Sequence, residues 1–501
     1  MARVLSGAPV GFTGALIEVE TDIKAGLPGL QIVGMGNKAI DEARQRVRSA
    51  ISNSLLDFPA QKITVNLAPA ELPKDGTHLD LPIALSVLIA SGQLKQSEVA
   101  GALFAGELAL DGTIRPIRGA VVLAELAKNN GAQRFFVPQH NVAQAQLITG
   151  LQVIGVQTLQ ALYKALKGVA PFTTPEPPLL ALKAPSTGPG GVTFDEIVGH
   201  EQAKRALTIA AAGRHNILLS GSPGAGKTLL AKSLPSLLPP LVDSEVVEVT
   251  KLHSLASGNE GAIQTLPPFR APHHTATLTS FIGGGLRPRP GTISLAHKGV
   301  LFLDELPEHS RSTLEALRQP LEDRTVSLSR LYEHITYPAD VLLIATMNPC
   351  PCGYLGDSAT NCTCSAMQIN AYQRRISGPL LDRIDIRVTV SKVKHEHFFD
   401  AKSLKNKQQL KVLKLILIAR EAQKKRYKRS DAYNAYATIE QAKQLFCIDP
   451  SAKKLLSTAA TTLQLTSRSA LRVLRVARTI ADLEASETLN EQHIAEALQF
   501  R

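Results

Sequence analysis

At 501 residues, with 44% hydrophobic and 20% charged side chains, the chain has the composition of a globular protein long enough for two or three separately cored domains. The opening MARVLSGAPVGFTG lacks the apolar stretch of a secretory signal, and no run approaches the roughly 18 apolar residues of a membrane span, so a soluble cytoplasmic protein is expected. A formal net charge of +12 admits two readings, a polyanion partner or an unpartnered basic surface.

Residues 1–168 alternate short β-like runs (14–20, 30–33, 62–67, 134–137) with helical periods (40–52, 82–91, 120–129), which predicts a compact α+β domain. Two stretches, APAELPKDGTHLDLPIAL and GELALDGTIRPIRGAVVLAE, resemble the ribosomal-S5-type fold shared with Lon peptidase domains, in the segments that carry the peptidase serine and lysine. Here those positions fall on His78 and at or beside Val121. A Ser–Lys dyad needs a hydroxyl nucleophile and an amine base, so peptidase activity is not expected. DNA binding through Arg44, Arg46, Arg48 and the LPKDGTH loop, or organisation of an assembly, is expected instead. Residues 169–194, rich in Pro, Gly, Ser and Thr, read as an extended linker.

An α/β region follows over 195–395. Its apolar runs at 216–219, 246–249, 299–303, 341–345 and 384–390 read as buried parallel strands separated by helices. After the first run, GSPGAGKT fits G-x-x-x-x-G-K-[ST] at Gly221, Ser222, Pro223, Gly224, Ala225, Gly226, Lys227 and Thr228. The glycines let backbone N–H groups curl around phosphates, Lys227 would reach the β and γ phosphates, and Thr228 would ligate Mg2+. ATP and Mg2+ are therefore the expected cofactors. GVLFLDE ends a strand in Asp304 and Glu305, the first placed to hold Mg2+ and the second to polarise an attacking water. VLLIATMN ends in Asn348, a neutral group placed to orient that water.

Between these motifs, residues 252–297 are too long for an ordinary connection and are expected to lie between the second and third strands. His273, His274, Thr275, Thr277 and Thr279 offer hydrogen-bond donors to phosphates, and Arg270, Arg287 and Arg289 add charge. Gly283–Gly285 would let the loop move with the nucleotide state. A metal at the two histidines is disfavoured, because adjacent rings would point in different directions and no carboxylate is near. RTVSLSRLYEHITYPADVLL reads as two strands around 331–333, with Arg330, Tyr332 and His334 near the tip able to contact a backbone or stack on a base; a plain structural hairpin is the alternative. Cys350 and Cys352, with Cys362 and Cys364, frame a nine-residue loop. Four thiolates could hold Zn2+ tetrahedrally, although C-x-C is tighter than the usual spacing and reduced thiols are the alternative.

Residues 396–501 lose the strand signal and read as helical. From 401 to 430 there are eleven Lys and Arg against one acid, Glu421, an excess that favours nucleic acid over a merely solvated helix face.

Together, IVGHEQAKRAL, GSPGAGKT, FRAPHHTATLTSFIGGG, LFLDELPE, ATMNPCPCGY, ISGPLLDRIDI and LRVARTIADL resemble the AAA+ ATPases over the whole chain, within them the magnesium-chelatase-like branch and its bacterial competence proteins. The implied fold is α/β: an S5/Lon-like α+β domain, an AAA+ P-loop parallel-sheet core and a C-terminal helical lid. The resemblance implies that Asn348 is the first sensor and that Arg383 is a finger reaching the γ-phosphate of a neighbouring subunit. An ion pair with Asp382 or Asp385 is the alternative for Arg383. It implies Arg468 as second sensor, projecting toward the nucleotide, with Arg472 and Arg475 on the same helix as alternatives. It further implies a homo-hexameric ring with the 252–297 insert and the hairpin in its pore. The implied activity is a helicase on single-stranded and branched double-stranded DNA, promoting branch migration in homologous recombination during natural transformation alongside recombination proteins. A chelatase-type subunit that remodels a protein partner is the competing reading.

Overall fold

The computed structural model describes residues 1–34, 38–72, 74, 76–172, 187, 191–256, 261–285, 288–329, 334–357, 359–392 and 408–501. The N-terminal part contains β1 (Ala2–Val10), β2 (Thr13–Lys24), β3 (Gly29–Val33), β4 (Lys62–Ala68), β5 (Ala102–Phe104), a small hairpin of β6 (Glu107–Leu108) and β7 (Ile114–Arg115), β8 (Arg134–Pro138) and β9 (Gln152–Val156). Seven of these form one mixed sheet in the order β3-β4-β2-β1-β5-β8-β9. Successive strand residues face opposite ways, and this splits the core into two layers. Along β8, Phe136 joins the helices Lys38–Asn53 and Asp80–Ala90 on one face, while Phe135 and Val137 join Ala120–Asn129 on the other.

Several residues expected to face DNA are instead structural. Arg46 is held by the buried Asp80 carboxylate at 2.8 and 3.1 Å. Burial pushes the Asp80 carboxyl up to about 6 despite that partner. Lys74, in the LPKDGTH loop, is 1% exposed and donates to the Pro69 carbonyl. His78 is buried with its Nε2 2.9 Å from the Gly7 carbonyl oxygen, and Val121 is fully buried.

The second part holds β10 (Ile217–Gly221), β11 (Phe269–Arg270), β12 (Gly283–Gly284), β13 (Arg289–Pro290), β14 (Val300–Leu303), β15 (Thr325–Ser329), β16 (His334–Pro338), β17 (Leu342–Met347) and β18 (Ile386–Val390). A parallel five-stranded sheet runs β11-β14-β17-β10-β18, so the chain is a mixed α/β protein with a parallel-sheet core. The strand expected at 246–249 does not form. Those residues lie in the helix Asp243–Leu255, where Val246, Val249 and Leu252 line one buried face at helical spacing and Asp243 and Glu245 sit in the first turn. The true second strand is only Phe269–Arg270, paired with Val300 and Leu301. The insert after it is therefore 271–299.

Nor is that insert a free loop. Gly283 and Gly284 pair with Arg289 and Pro290, and a Cβ on Gly283 (φ +99°) would lie 2.3 Å from the Arg289 carbonyl oxygen. A close backbone approach accounts for that glycine without any motion. β15 and β16 form the expected antiparallel hairpin, but Arg330 and Tyr332 lie outside the described residues. Its apolar face, Ile335 and Tyr337 with Leu328, packs on Leu252, Leu255 and Phe12.

The N-terminal part grips the helix Asp243–Leu255 directly. Lys251 pairs with Glu125 at 2.5 Å and lies 4.1 Å from the Phe12 ring centre, and the Gly119 amide donates to the Ser254 carbonyl at 2.8 Å.

The C-terminal helices Gln408–Tyr427, Ile439–Leu445, Pro450–Thr462, Ser467–Leu483 and Glu491–Gln499 share one hydrophobic core with the sheet, through the almost fully buried helix Glu201–Gly213. A buried charge cluster ties these helices to the sheet. The Asp340 carboxylate meets Lys298 Nζ at 3.0 Å, Arg214 Nη2 at 4.0 Å and the Tyr436 hydroxyl at 2.5 Å. Burial would raise its pKa, but Arg214 and Lys298 hold the carboxyl well below the usual range. The basic run is partly structural too. Arg420 stacks 3.5 Å from the Tyr433 ring centre, and Arg426 is paired with Asp482, which leaves Lys411, Lys414, Lys425, Lys428 and Arg429 exposed, the last paired with Asp431; residues 401–407 lie outside the described set. Among the described residues no helix is long and apolar enough to cross a membrane.

Candidate functional site

The carboxyl ends of β10, β14 and β17 converge on one point, where an open α/β sheet places its ligands. Gly221 ends β10, and the next five residues turn tightly before Lys227 opens the helix Lys227–Ser233, with Gly226 at φ +79° as its cap. That left-handed conformation is the one a side chain would strain. Lys227 Nζ donates to the carbonyls of Gly221 (2.6 Å) and Ser222 (2.9 Å) and to Asn348 Oδ1 (3.1 Å). Burial lowers its pKa and nearby Asp304 and Glu305 oppose that.

Thr228 Oγ1 stands 3.2 Å from the Asp304 carboxylate. The register Leu303↔Ala345 sets Asp304 beside Thr346, whose hydroxyl donates to Asp304 Oδ1 at 2.5 Å and accepts the Glu305 amide at 3.0 Å. Glu305 is exposed and left-handed (φ +51°), an uncommon conformation for a glutamate and one often found at functional sites. His309 Nε2 donates to the Asp304 carbonyl at 3.2 Å, which fixes its tautomer. Burial lowers the His309 pKa, and the insert's two histidines, His274 and His273, lower it further. They are exposed, their ring centres are 4.1 Å apart rather than divergent, and His273 Nδ1 bonds Thr275 Oγ1 at 2.8 Å.

Lys227, Thr228, Asp304, Glu305 and Asn348 thus assemble within one chain. A threonine hydroxyl beside a carboxylate is the hard-oxygen donor set that Mg2+ takes, and a half-buried ammonium above a curled glycine loop suits a polyphosphate. Arg383 and Arg468 do not join this group. Arg383 pairs with Glu322 and donates to the Pro379 carbonyl at 2.7 Å; Arg468, 76% exposed, reaches the same Glu322 at 3.6 Å. The ion-pair partner of Arg383 is therefore neither Asp382 nor Asp385. Arg472 is bound to Asp382 and to the Ile384 carbonyl, and Arg475 to the Ala437 carbonyl.

Sequence reasoning missed Thr346, His309 and Glu322. Thr346 alone carried a signal, a polar residue two before Asn348 on a strand otherwise apolar; the other two act across the fold.

Comparison with known proteins gives three consecutive matches. The family described as magnesium chelatase, subunit ChlI, matches 193–398; subunit ChlI of Mg-chelatase matches 19–141; and the ChlI C-terminal family matches 407–501. The competence protein ComM of Haemophilus influenzae is 39% identical over 503 residues, covering 100% of this chain and 97% of the relative. The chain belongs to the ComM/magnesium-chelatase-like family. The uncharacterized protein YifB of Escherichia coli (strain K12) is 40% identical over 502 residues, again 100% and 97% of the two chains. The magnesium-chelatase 67 kDa subunit of Heliobacterium mobile is 28% identical over 293 residues, 52% of this chain and 40% of that one. Membership of this AAA+ family points to an ATPase that uses ATP and Mg2+.

Proposed function

We propose that the chain is an ATP-driven DNA motor, a hexameric helicase or translocase that promotes branch migration during natural transformation. The observation that carries this reading is the assembled nucleotide site in a chain similar along its whole length to a competence protein. In the proposed mechanism Lys227 binds the β and γ phosphates, Thr228 and Asp304 hold Mg2+, and Glu305 orients and deprotonates water with help from Asn348. Mg2+ held by Thr228 and Asp304 would neutralise developing phosphate charge. Arg383 and Arg468, gathered on Glu322 away from Lys227, serve a neighbouring subunit's nucleotide. Exposed Leu410, Leu417 and Ile418 on one stripe of a lid helix suit a subunit interface. His273, His274 and Thr275, with Arg330 and Tyr332, contact DNA, and the four clustered cysteines hold Zn2+.

A second reading, a chelatase-type subunit acting on a protein partner, draws on the similarity to the Heliobacterium subunit. One experiment separates them: ATP-dependent unwinding of forked and four-way-junction DNA, with particle mass read by light scattering. The motor reading expects unwinding by a six-subunit species, abolished by Lys227→Ala, with turnover lowered about 10²- to 10⁴-fold by Glu305→Gln. ATP hydrolysis without DNA binding or unwinding would reject it.

A further inference from the structure

The loop leaving the sheet just after Asn348 has almost no core of its own. Among the described residues of 350–365, only Cys350 and Gly353 are buried. A segment this poor in apolar contacts needs another staple to hold one shape. The four cysteines are placed to supply it. Cys350 Sγ is 3.4 Å from Cys352 Sγ and 3.7 Å from Cys362 Sγ, Cys352 and Cys362 are 3.6 Å apart, and all four sulfurs lie within 4.8 Å of one another. Tetrahedral zinc with bonds of about 2.3 Å sets its sulfurs about 3.8 Å apart. A disulfide would draw one pair to about 2.0 Å. The observed spacing is that of a tetrahedral thiolate set, and the Cys352 amide donates to Cys364 Sγ at 3.4 Å, the outer hydrogen bond that such ligands carry.

The folded loop then lies against the phosphate loop. A Cβ on Gly353 would fall 2.6 Å from the Pro223 ring and 3.7 Å from the Asn348 side-chain amide, so the two turns are in close contact. Asp357 accepts from the Ala359 amide (2.9 Å), the Thr360 amide (3.1 Å) and Lys392 Nζ (3.0 Å), which ties the loop to itself and to the chain just past the end of β18. Lys392 also sits 5.3 Å from the Tyr354 ring centre. Pro223 of the phosphate loop, and Asn348, are thus braced from outside by Gly353, whose own position depends on the cysteine cluster.

We propose that the four cysteines bind one zinc ion and that the metal-folded loop is the outer wall of the nucleotide site, so that nucleotide affinity depends on the metal. The inference rests on the nucleotide-binding reading above and is independent of DNA. No step of the chemistry passes through the ion. Its part is to fix Gly353 against Pro223.

The test uses the full-length chain, purified reduced and without chelator. Metal content is read by atomic emission, and affinity for a fluorescent ADP analogue with Mg2+ by equilibrium titration. One zinc per chain is expected. Cys362→Ser with Cys364→Ser should lose the metal and weaken nucleotide binding by about 10- to 100-fold, the range seen when supports of a bound group are removed. Because that variant could fail to fold, Asp357→Asn is measured beside it: it keeps every thiolate and the metal, yet should bind nucleotide several-fold more weakly. A metal-free chain in which all five cysteines, the four of the cluster and Cys447, titrate freely overturns the site. A zinc-bearing chain whose two variants bind nucleotide like the parent overturns the wall. If Lys227→Ala also binds like the parent, the nucleotide-site reading itself fails, which the thiol and metal measurements would leave untouched.

Discussion

Replacing Asp340 with Asn tests the charge cluster that joins the lid to the core. The change keeps the shape and an acceptor for Tyr436, but removes the charge that two buried cations share. The Asp340 side chain is 8% exposed, against 5% for Arg214 and 10% for Lys298. Breaking a buried pair from one side costs about 3–5 kcal/mol, because a charge is left without a partner. Lys298 retains Glu245 at 3.8 Å, and Arg214 retains the Tyr436 hydroxyl at 3.1 Å and the backbone carbonyls of Lys298 and residue 340. The lower end, about 3 kcal/mol or roughly a hundredfold in the folding equilibrium, is therefore expected. Since the chain has no tryptophan, urea unfolding is followed by far-ultraviolet circular dichroism. Tyr436→Phe, which removes one hydroxyl and no charge, should cost about 1 kcal/mol. The sign with pH is fixed as well. A carboxyl depressed in the folded state stabilises fully above its unfolded pKa and loses that contribution as pH falls towards the folded one, so the gap between parent and Asp340→Asn should begin to narrow only below about pH 4. A gap under about 1 kcal/mol at pH 7, or a Tyr436→Phe effect as large as that of Asp340→Asn, would show that the charge is not what holds the two parts together.

Three further outcomes are expected. Arg383→Ala should lower ATP turnover about 10³-fold or more, and mixing it with Lys227→Ala subunits should restore part of the activity; no recovery in the mixture would place the arginine in its own chain's site or outside catalysis. Burial holds His253 down to about 4, its Nε2–H on the Leu295 carbonyl with Arg270 nearby, so the unfolded chain takes up a proton that the folded one refuses; stability from this residue should fall by about 2 kcal/mol between pH 6.5 and 5, and a pH profile of His253→Gln that falls equally would refute this. The double change His273→Ala, His274→Ala should weaken DNA binding by about tenfold in a gel-shift titration with nucleotide affinity unchanged; an equal loss of nucleotide affinity would assign the pair to the ATP site instead.

The phosphate loop was readable because its chemistry is local: Gly221–Thr228 needs particular backbone conformations within eight consecutive residues. Asp304 and Asn348 were readable because apolar runs end in polar tips. What joins them was not. Thr346 binds both acids through the register of two parallel strands, and Glu322 meets Arg383 from 61 residues away, distances over which sequence pattern carries no signal. The second strand failed for a different reason. EVVEVT is β-branched and favours a strand by propensity, yet its valines fall at helical spacing on a buried face and packing overrides propensity. The real strand, Phe269–Arg270, is too short to leave a period. The basic run misled in part because a count of charges cannot tell an arginine facing solvent from Arg420 stacked under Tyr433.

The helix Asp243–Leu255 has the N-terminal domain on one side and, on the other, the Leu295 carbonyl through His253 and the Glu248–His297 pair at 3.1 Å. Mechanically this is a clamp with two jaws. The two regions meet through Lys251, Ser254 and the Phe12 contact, on the helix that precedes the strand Phe269–Arg270 and the insert that carries His273 and His274. Any displacement of that helix would therefore reach the seven-stranded sheet through packed side chains and a backbone hydrogen bond, as a push rather than a tug.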